Sequence, residues 1–261
     1  QPRSRGLGDV YKRQIVGWSF GIGFVEMPLG LLVGILAARL LRLERGKGLR
    51  TFAFAVAIQN FGYTAIPMVQ ALWGAAAVSV LMVHNLGVEL SIWTIGVMWI
   101  SSERKVPWRK MINGPALSVV LGLCLVAFGW DQQITGPVRE AMKMLGAGAF
   151  PLAITLTGAM MWDMIRIERL SSRIVLGSCV VRLLLLPMGL LCLAKFLPLA
   201  LPLQQVLVVQ AAMPAAMSPL LLASMYGGRP GIAAQVIVAT TALSLLTLPW
   251  IISLGQHWLW R

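Results

Sequence analysis

Seven polar or ionisable residues stand inside long apolar stretches of this sequence: Glu26, Asn60, His84, Asn85, Glu89, Arg182 and Gln210. A charge or an amide among Leu, Val and Ile is costly unless paired, and an ionisable residue inside a membrane segment marks an ion or substrate path. Carboxylates beside a histidine can take up and release protons, amides can direct hydrogen bonds at an oxygen-rich ligand, and arginine can neutralise an anion. Metal or nucleophilic chemistry is not suggested. Only two histidines occur, His84 and His257, with no HExxH pattern, and Cys124, Cys179 and Cys192 show neither CxxC nor Cys/His spacing. No metal site and no cofactor beyond a coupling ion, H+ or Na+, is expected, and a membrane-embedded enzyme is set aside.

The elements that must position these residues follow from composition. Hydrophobic residues make up 58% of the chain and charged ones 12%, against about 25% charged in a soluble domain. The apolar residues come in long blocks separated by short polar clusters, so the expected solvent is lipid. The formal charge of +13 sits in short loops rather than on one face, which speaks for topology signals and against nucleic acid.

Residues 1–14 are polar and basic and join the first block without an initiator Met. Asp9-Val-Tyr-Lys-Arg-Gln14 can be encoded by GAT GTG TAT AAG AGA CAG, which resembles the transposase end ligated to DNA in sequencing-library preparation. They are expected to be a non-native leader.

Eight stretches reach the roughly 20 apolar residues of a membrane helix: 15–41, 51–73, 76–100, 113–130, 138–162, 173–197, 203–226 and 231–255, here spans A to H. B and C are so close that they must form a tight hairpin. Basic residues gather in alternate connections, with Arg39, Arg42, Arg45, Lys47 and Arg50 between A and B, and Arg104, Lys105, Arg109 and Lys110 between C and D. Arg166, Arg169 and Arg173 lie between E and F, and Arg229 between G and H. These loops are assigned to the cytoplasm, which puts both ends outside.

Self-comparison exposes a repeat. Span A contains Pro28-Leu-Gly-Leu-Leu32 and span F contains Pro187-Met-Gly-Leu-Leu191. B is interrupted by Asn60-Phe-Gly-Tyr-Thr-Ala-Ile-Pro67 and ends at Trp73-Gly74; G is interrupted by Met213-Pro-Ala-Ala-Met-Ser-Pro219 and ends at Tyr226-Gly227. Thus A-B-C corresponds to F-G-H, with opposite orientation by the charge rule. D and E precede F, so two more spans are expected before A, ten in all. Proline in a helix interior costs about 3 kcal/mol, and breaks persist in lipid only where they face protein or a watery cavity. Two breaks at corresponding midspan positions point to a central polar site, whereas a single proline would mark only a kink.

The order Asn60-x-Gly62, Ile66-Pro67, Trp73-Gly74, Asn85-Leu-Gly87, Trp93-Thr-x-Gly96, Pro151-Leu-Ala, Gly158-Ala159 and Met213-Pro214 resembles the auxin efflux carrier family, which includes bacterial malonate and malate permeases. The resemblance covers nearly all of 15–255. It implies an all-α membrane protein of ten helices in two inverted five-helix repeats, with eight present here and the first two missing. The fourth and ninth spans, here B and G, would cross near mid-membrane. On that plan 15–112 is the remainder of the first repeat and 113–261 the second. The implied function is secondary transport of small organic anions, dicarboxylates or auxin-like carboxylates, across a bacterial-type cytoplasmic membrane by an elevator motion. A-B-C and F-G-H would move against a scaffold containing D and E. The expected partners are the anion and lipid, with a homodimer as an option; a channel is the alternative.

Within the breaks, Pro67 opens the outer half of B, and Pro214 or Pro219 the second half of G, so that free N–H groups meet a carboxylate. Asn60, Asn85 and Gln210 add directed hydrogen bonds, and Gly62 lets a substrate approach the backbone. Glu89 is the first coupling candidate, and otherwise a carboxyl bonded to a neighbouring helix. Glu26 and Arg182 either pair across the repeats or, more simply for Arg182, the side chain snorkels to the cytoplasmic edge. His84 is a candidate proton relay or a merely hydrogen-bonded histidine. Gly17-x-x-x-Gly21 and Gly30-x-x-x-Gly34 are expected to pack against other helices.

Overall fold

The computed structural model describes residues 2–43, 46–101, 128–167 and 170–260, together with 117–118, 121–122 and 124–125. Half of span D and all the basic residues between C and D fall outside this set. The described chain is helical, and four of its helices are long and apolar enough to cross a membrane: Gln14–Leu40, Ala65–Ser101, Ser172–Phe196 and Pro230–Trp260. They correspond to spans A, C, F and H.

In chain order, α1 is Pro2–Leu40, α2 Lys47–Ala57 and α3 Ala65–Ser91, continued by a π-turn at Ile92–Gly96 and α4, Val97–Ser101. α5 is Gly136–Ile167 and α6 Ser172–Val180, which passes through a second π-turn, Val181–Leu185, into α7, Leu186–Phe196. α8 is Leu201–Ala212, α9 Ser218–Met225 and α10 Pro230–Trp260. Residues 2–14 form the helical start of α1.

Spans B and G are each broken, as their prolines suggest. α2 and α8, of 11 and 12 residues, are about 16–18 Å long at 1.5 Å per residue, roughly half a bilayer core. α8 stops because Met213 precedes Pro214, whose ring disfavours the helical region for its neighbour; Met213 is extended at φ −72°, ψ 137°. No proline follows α2. Its extended end at Ile58 (φ −101°, ψ 113°) is held by the other break: Asn60 N–H donates to the Pro214 carbonyl at 2.8 Å and Ala216 N–H to that of Ile58 at 2.9 Å. Gln59 and Ala215 thus form an antiparallel bridge where the two interrupted segments meet.

After each break the chain turns back. Gly74 lies within α3 at φ +76°, ψ −170°, and Gly227 follows α9 at φ +76°. Asn85 and Phe61, 24 residues apart, are hydrogen-bonded at 2.9 Å; an uninterrupted helix would hold them about 36 Å apart. The B–C hairpin therefore pivots on Gly74. On the other side Thr240 of α10 accepts from Ala215 N–H at 3.2 Å across 25 residues, with Gly227 near the midpoint. In both hairpins the returning helix bonds the break that precedes it.

L-residues pay about 1–2 kcal/mol at such left-handed φ. Gly74→Ala and Gly227→Ala are each expected to lower the melting temperature of the solubilised protein by a few degrees. An unchanged melt would show that the pivots relax without strain.

Apolar side chains cover the outside as well as the core. Leu32, Leu36 and Leu40 of α1 are 58%, 60% and 84% exposed, and Leu245 and Trp250 of α10 are 77% and 79% exposed, while Gln59, His84 and Gln210 are buried. This inside-out distribution is that of a protein solvated by lipid. α5 is largely exposed and meets the bundle chiefly through α10.

The two glycine pairs part company. A Cβ on Gly30 would lie 3.0 Å from Ala57 Cα and one on Gly34 2.8 Å from Ala53 Cα, so this pair seats α1 against α2. Gly17 and Gly21 have nothing within 4 Å. That expectation is corrected: among the described residues nothing packs closely on these two positions, whereas Gly23 makes a further close contact of α1, with α3.

Candidate functional site

A half-helix leaves its carbonyls and N–H groups unpaired where it stops, so the crossing of B and G must find partners within the bundle. At the end of α8, Arg182 supplies them. It sits in the π-turn after α6 and is 2% exposed. Its Nε donates to the Met213 carbonyl at 3.0 Å and its Nη2 to that of Gln210 at 3.4 Å. The snorkelling expected for Arg182 does not occur: its reach is used on carbonyls that end α8. Nor does it bond Glu26 directly.

Glu26, on α1, is engaged elsewhere. Its Oε1 accepts from Gln59 Nε2 at 2.6 Å, and its Oε2 lies 3.1 Å from His84 Nε2. The latter approach is poorly aligned for a hydrogen bond, and His84 Nδ1 has no partner among the described residues. His84 is fully buried and Glu26 9% exposed. The helices meet here because Gly23 and Gly87 remove the side chains that would separate them: a Cβ on Gly23 would strike the His84 carbonyl, and one on Gly87 the carbonyl of Phe20.

The amides form a second chain of contacts. Asn85 donates to the Phe61 carbonyl, and its Oδ1 accepts from Gln210 Nε2 at 3.1 Å, joining residues 125 apart. Gln210 Oε1 is buried without a partner. Asn60 donates to Thr64 Oγ1 at 2.9 Å, within its own break. Gly62 has open space where a Cβ would be.

Neither half-helix that begins at a break has a side-chain cap: Thr64 and Met217 occupy the N-cap positions of α3 and α9 without capping bonds. Ser218, the first residue of α9, keeps a buried hydroxyl with no partner. Pro67 is not the first residue of its half-helix; α3 begins at Ala65 and Pro67 falls in its first turn, exposed. Pro219 is the second residue of α9, whereas Pro214 stays in the break.

The structure thus brings Glu26, His84, Asn85, Arg182 and Gln210 to the crossing, and Asn60, Gly62, Pro214 and Pro219 to the broken segments themselves. Glu89, one turn beyond Asn85, is half-buried and bonds Trp93 rather than this network. Gln59 was the omission in the sequence reading. It adjoins Asn60 and is likewise an amide in an apolar block, but in an extended segment neighbours point to opposite sides, and Gln59 is the one that faces inward at 1% exposure. Among the described residues no three His, Cys, Asp or Glu side chains gather as a metal site would require.

A family model described as "membrane transport protein" matches residues 97–252, more than half of the chain, including the second break and all of α5 to α9. No curated protein matches the chain.

Proposed function

The chain belongs to the membrane transport protein family, that of the auxin efflux carriers, and on this premise we propose that it is a secondary carrier for small organic anions, with the anion held at the crossing of B and G. The observation that carries this reading is the pair of half-helix starts at the two breaks, neither with a side-chain cap. Ile66 N–H is taken by the Gly62 carbonyl and Leu220 N–H by that of Met217, and Pro67 and Pro219 have none, so the Ala65 and Ser218 N–H groups are those left to face a ligand. Free N–H groups at a helix start favour a carboxylate. Asn60, Asn85 and Gln210 supply amides beside them, the unpartnered Ser218 hydroxyl a further donor, and Gly62 an open approach.

In this reading the protein is a multi-pass protein of the cytoplasmic membrane, on a plan of ten helices in two inverted five-helix repeats, with 15–112 in the first and 113–261 in the second. α1 to α4 and α6 to α10 move as one body, tied together at the crossing. α5 belongs to the scaffold, and its slender contact with α10 is what an elevator displacement would slide along. A channel would not need two repeat-related breaks pinned to each other by backbone hydrogen bonds.

Counterflow in proteoliposomes separates the two. A carrier loaded with unlabelled malonate should transiently accumulate labelled malonate; flux that never saturates and shows no counterflow supports a channel. Asn60→Ala and Asn85→Ala each remove a hydrogen bond to a charged ligand, about 1.5–3 kcal/mol. Each is expected to raise the half-saturation concentration about tenfold or more. Wild-type saturation in both variants would remove the anion from this site.

A further inference from the structure

We propose that Glu26 and His84 together form the proton-binding site that couples anion movement to a proton gradient, a proposal that rests on the reading of the crossing as an anion site. The two side chains come from different helices, are buried, and place Oε2 3.1 Å from Nε2. With His84 neutral the imidazole carries one proton, and neither of its ring nitrogens has a hydrogen-bond partner among the described residues. Their poor alignment, and a buried Nδ1 with no partner, leave the pair able to accept a second.

Charge balance gives that second proton a purpose. Among the described groups around the pair, α1 contributes the Glu26 carboxylate, the first break the neutral Gln59, and α3 His84. The π-turn after α6 contributes Arg182, which bonds the Gln210 carbonyl, and α8 the neutral Gln210 side chain, which bonds Asn85 beside His84. Glu89 lies on the same helix as His84 but turns to Trp93. With His84 neutral, Glu26 and Arg182 cancel. A carboxylate arriving at the crossing brings one uncompensated negative charge into a low-dielectric site. One proton taken by the Glu26–His84 pair from the water on the loading side offsets one negative charge of the anion, one of the two that malonate carries, and the same proton leaves with the anion on the other side. No other bond is made or broken.

Two further contacts favour a proton over a metal cation. Carbonyls at the C-terminal end of a broken half-helix are where transporters of this general design hold Na+, yet here those of Gln210 and Met213 are occupied by the Arg182 guanidinium. The pair is also linked to the crossing through Gln59, which donates to Glu26 and forms the backbone bridge with Ala215. A change of charge on Glu26 therefore acts directly on the segment that joins the two breaks.

The test uses the full chain in proteoliposomes with labelled malonate, sodium absent and the membrane potential clamped at zero. The wild type is expected to accumulate malonate about tenfold per pH unit of inward acid gradient for each coupled proton. Glu26→Gln and His84→Gln should show a ratio of one with and without the gradient, whatever their absolute rates, and Glu26→Asp should recover part of the response. Accumulation driven by a sodium gradient and indifferent to pH, or an undiminished proton response in both Gln variants, overturns the proposal.

Infrared difference spectra on acidification, without substrate, separate this from the transport reading. The wild type should show a protonation band of the pair that Glu26→Gln loses and His84→Gln displaces. That band without transport of any organic anion would leave the proton site standing and remove the function. Transport without the band would do the reverse. Melting profiles identify a variant that fails to fold, in which case Glu26→Asp carries the comparison.

Discussion

Arg182→Met is expected to lose transport by a hundredfold or more and to melt below the wild type. The guanidinium is the partner of two carbonyls, those of Met213 and Gln210, at the point where α8 stops. Methionine keeps the length and apolar bulk but donates nothing. The Met213 carbonyl left unpaired costs about 1–3 kcal/mol, while that of Gln210 keeps the Met213 N–H at 3.3 Å. For a chain of this size about 1 kcal/mol corresponds to roughly 2–4 °C, so a fall of several degrees is expected. The transport loss follows from the same carbonyls, because Met213 is the first residue of the second break and sets the path of Pro214 and Ala215 across the first.

Arg182→Lys tells the two effects apart. Lysine retains the charge but not the planar fork that reaches both carbonyls, so it should recover part of the stability and less of the transport. Arg182→Met with an unchanged melt and unchanged counterflow would show that the half-helix end is satisfied by other means, and that the crossing does not depend on this residue.

What made Arg182 hard to read is instructive about the rest. Sequence shows an arginine in an apolar block a few residues from a loop, and the simplest course for such a side chain is outward to the membrane edge. Its inward course depends on the π-turn of residues 181–185 and on carbonyls 28 and 31 residues away, neither of which local spacing encodes. The breaks were legible because proline acts locally: Pro214 forces Met213 out of the helix by its own ring. The first break was legible only by its likeness to the second, since Pro67 lies beyond it and Ile58 is held extended by the other segment. Parity in that short extended stretch decides that Gln59, not Asn60, reaches Glu26. The pairing of Glu26 with His84 rather than with Arg182 is likewise a long-range result, set by how closely α1 approaches α3. The small-residue spacing of Gly17 and Gly21 looked like packing and has no neighbour, because spacing alone does not say which face of α1 meets a partner.

Gly87→Ala should therefore disable the protein by moving two helices a short distance. A Cβ at this position would meet the Phe20 carbonyl and would stand 2.8 Å from the Phe24 amide nitrogen; a Cβ on Gly23 would meet the His84 carbonyl and lie 3.3 Å from the Val88 amide nitrogen. These obstacles are backbone, which cannot swing aside as the tip of a long side chain would. Close approach through glycine is the main source of packing energy between helices in lipid, where there is no hydrophobic drive to bring them together. Overpacking such a contact costs about 1–3 kcal/mol, so Gly23→Ala and Gly87→Ala should each lower the melting temperature by several degrees. The functional effect should exceed the thermal one. Glu26 lies three residues after Gly23 and His84 three before Gly87, on the same contact, so widening it by an ångström takes the 3.1 Å carboxylate–imidazole separation beyond hydrogen-bond range. The proton-gradient response should then fall to a ratio near one even where folded protein is recovered. Gly17→Ala and Gly21→Ala, with nothing within 4 Å, supply the control on the same helix and should match the wild type in both melt and transport. Equal losses at all four glycines would instead implicate the flexibility of α1 as a whole and remove the special standing of the Gly23–Gly87 contact.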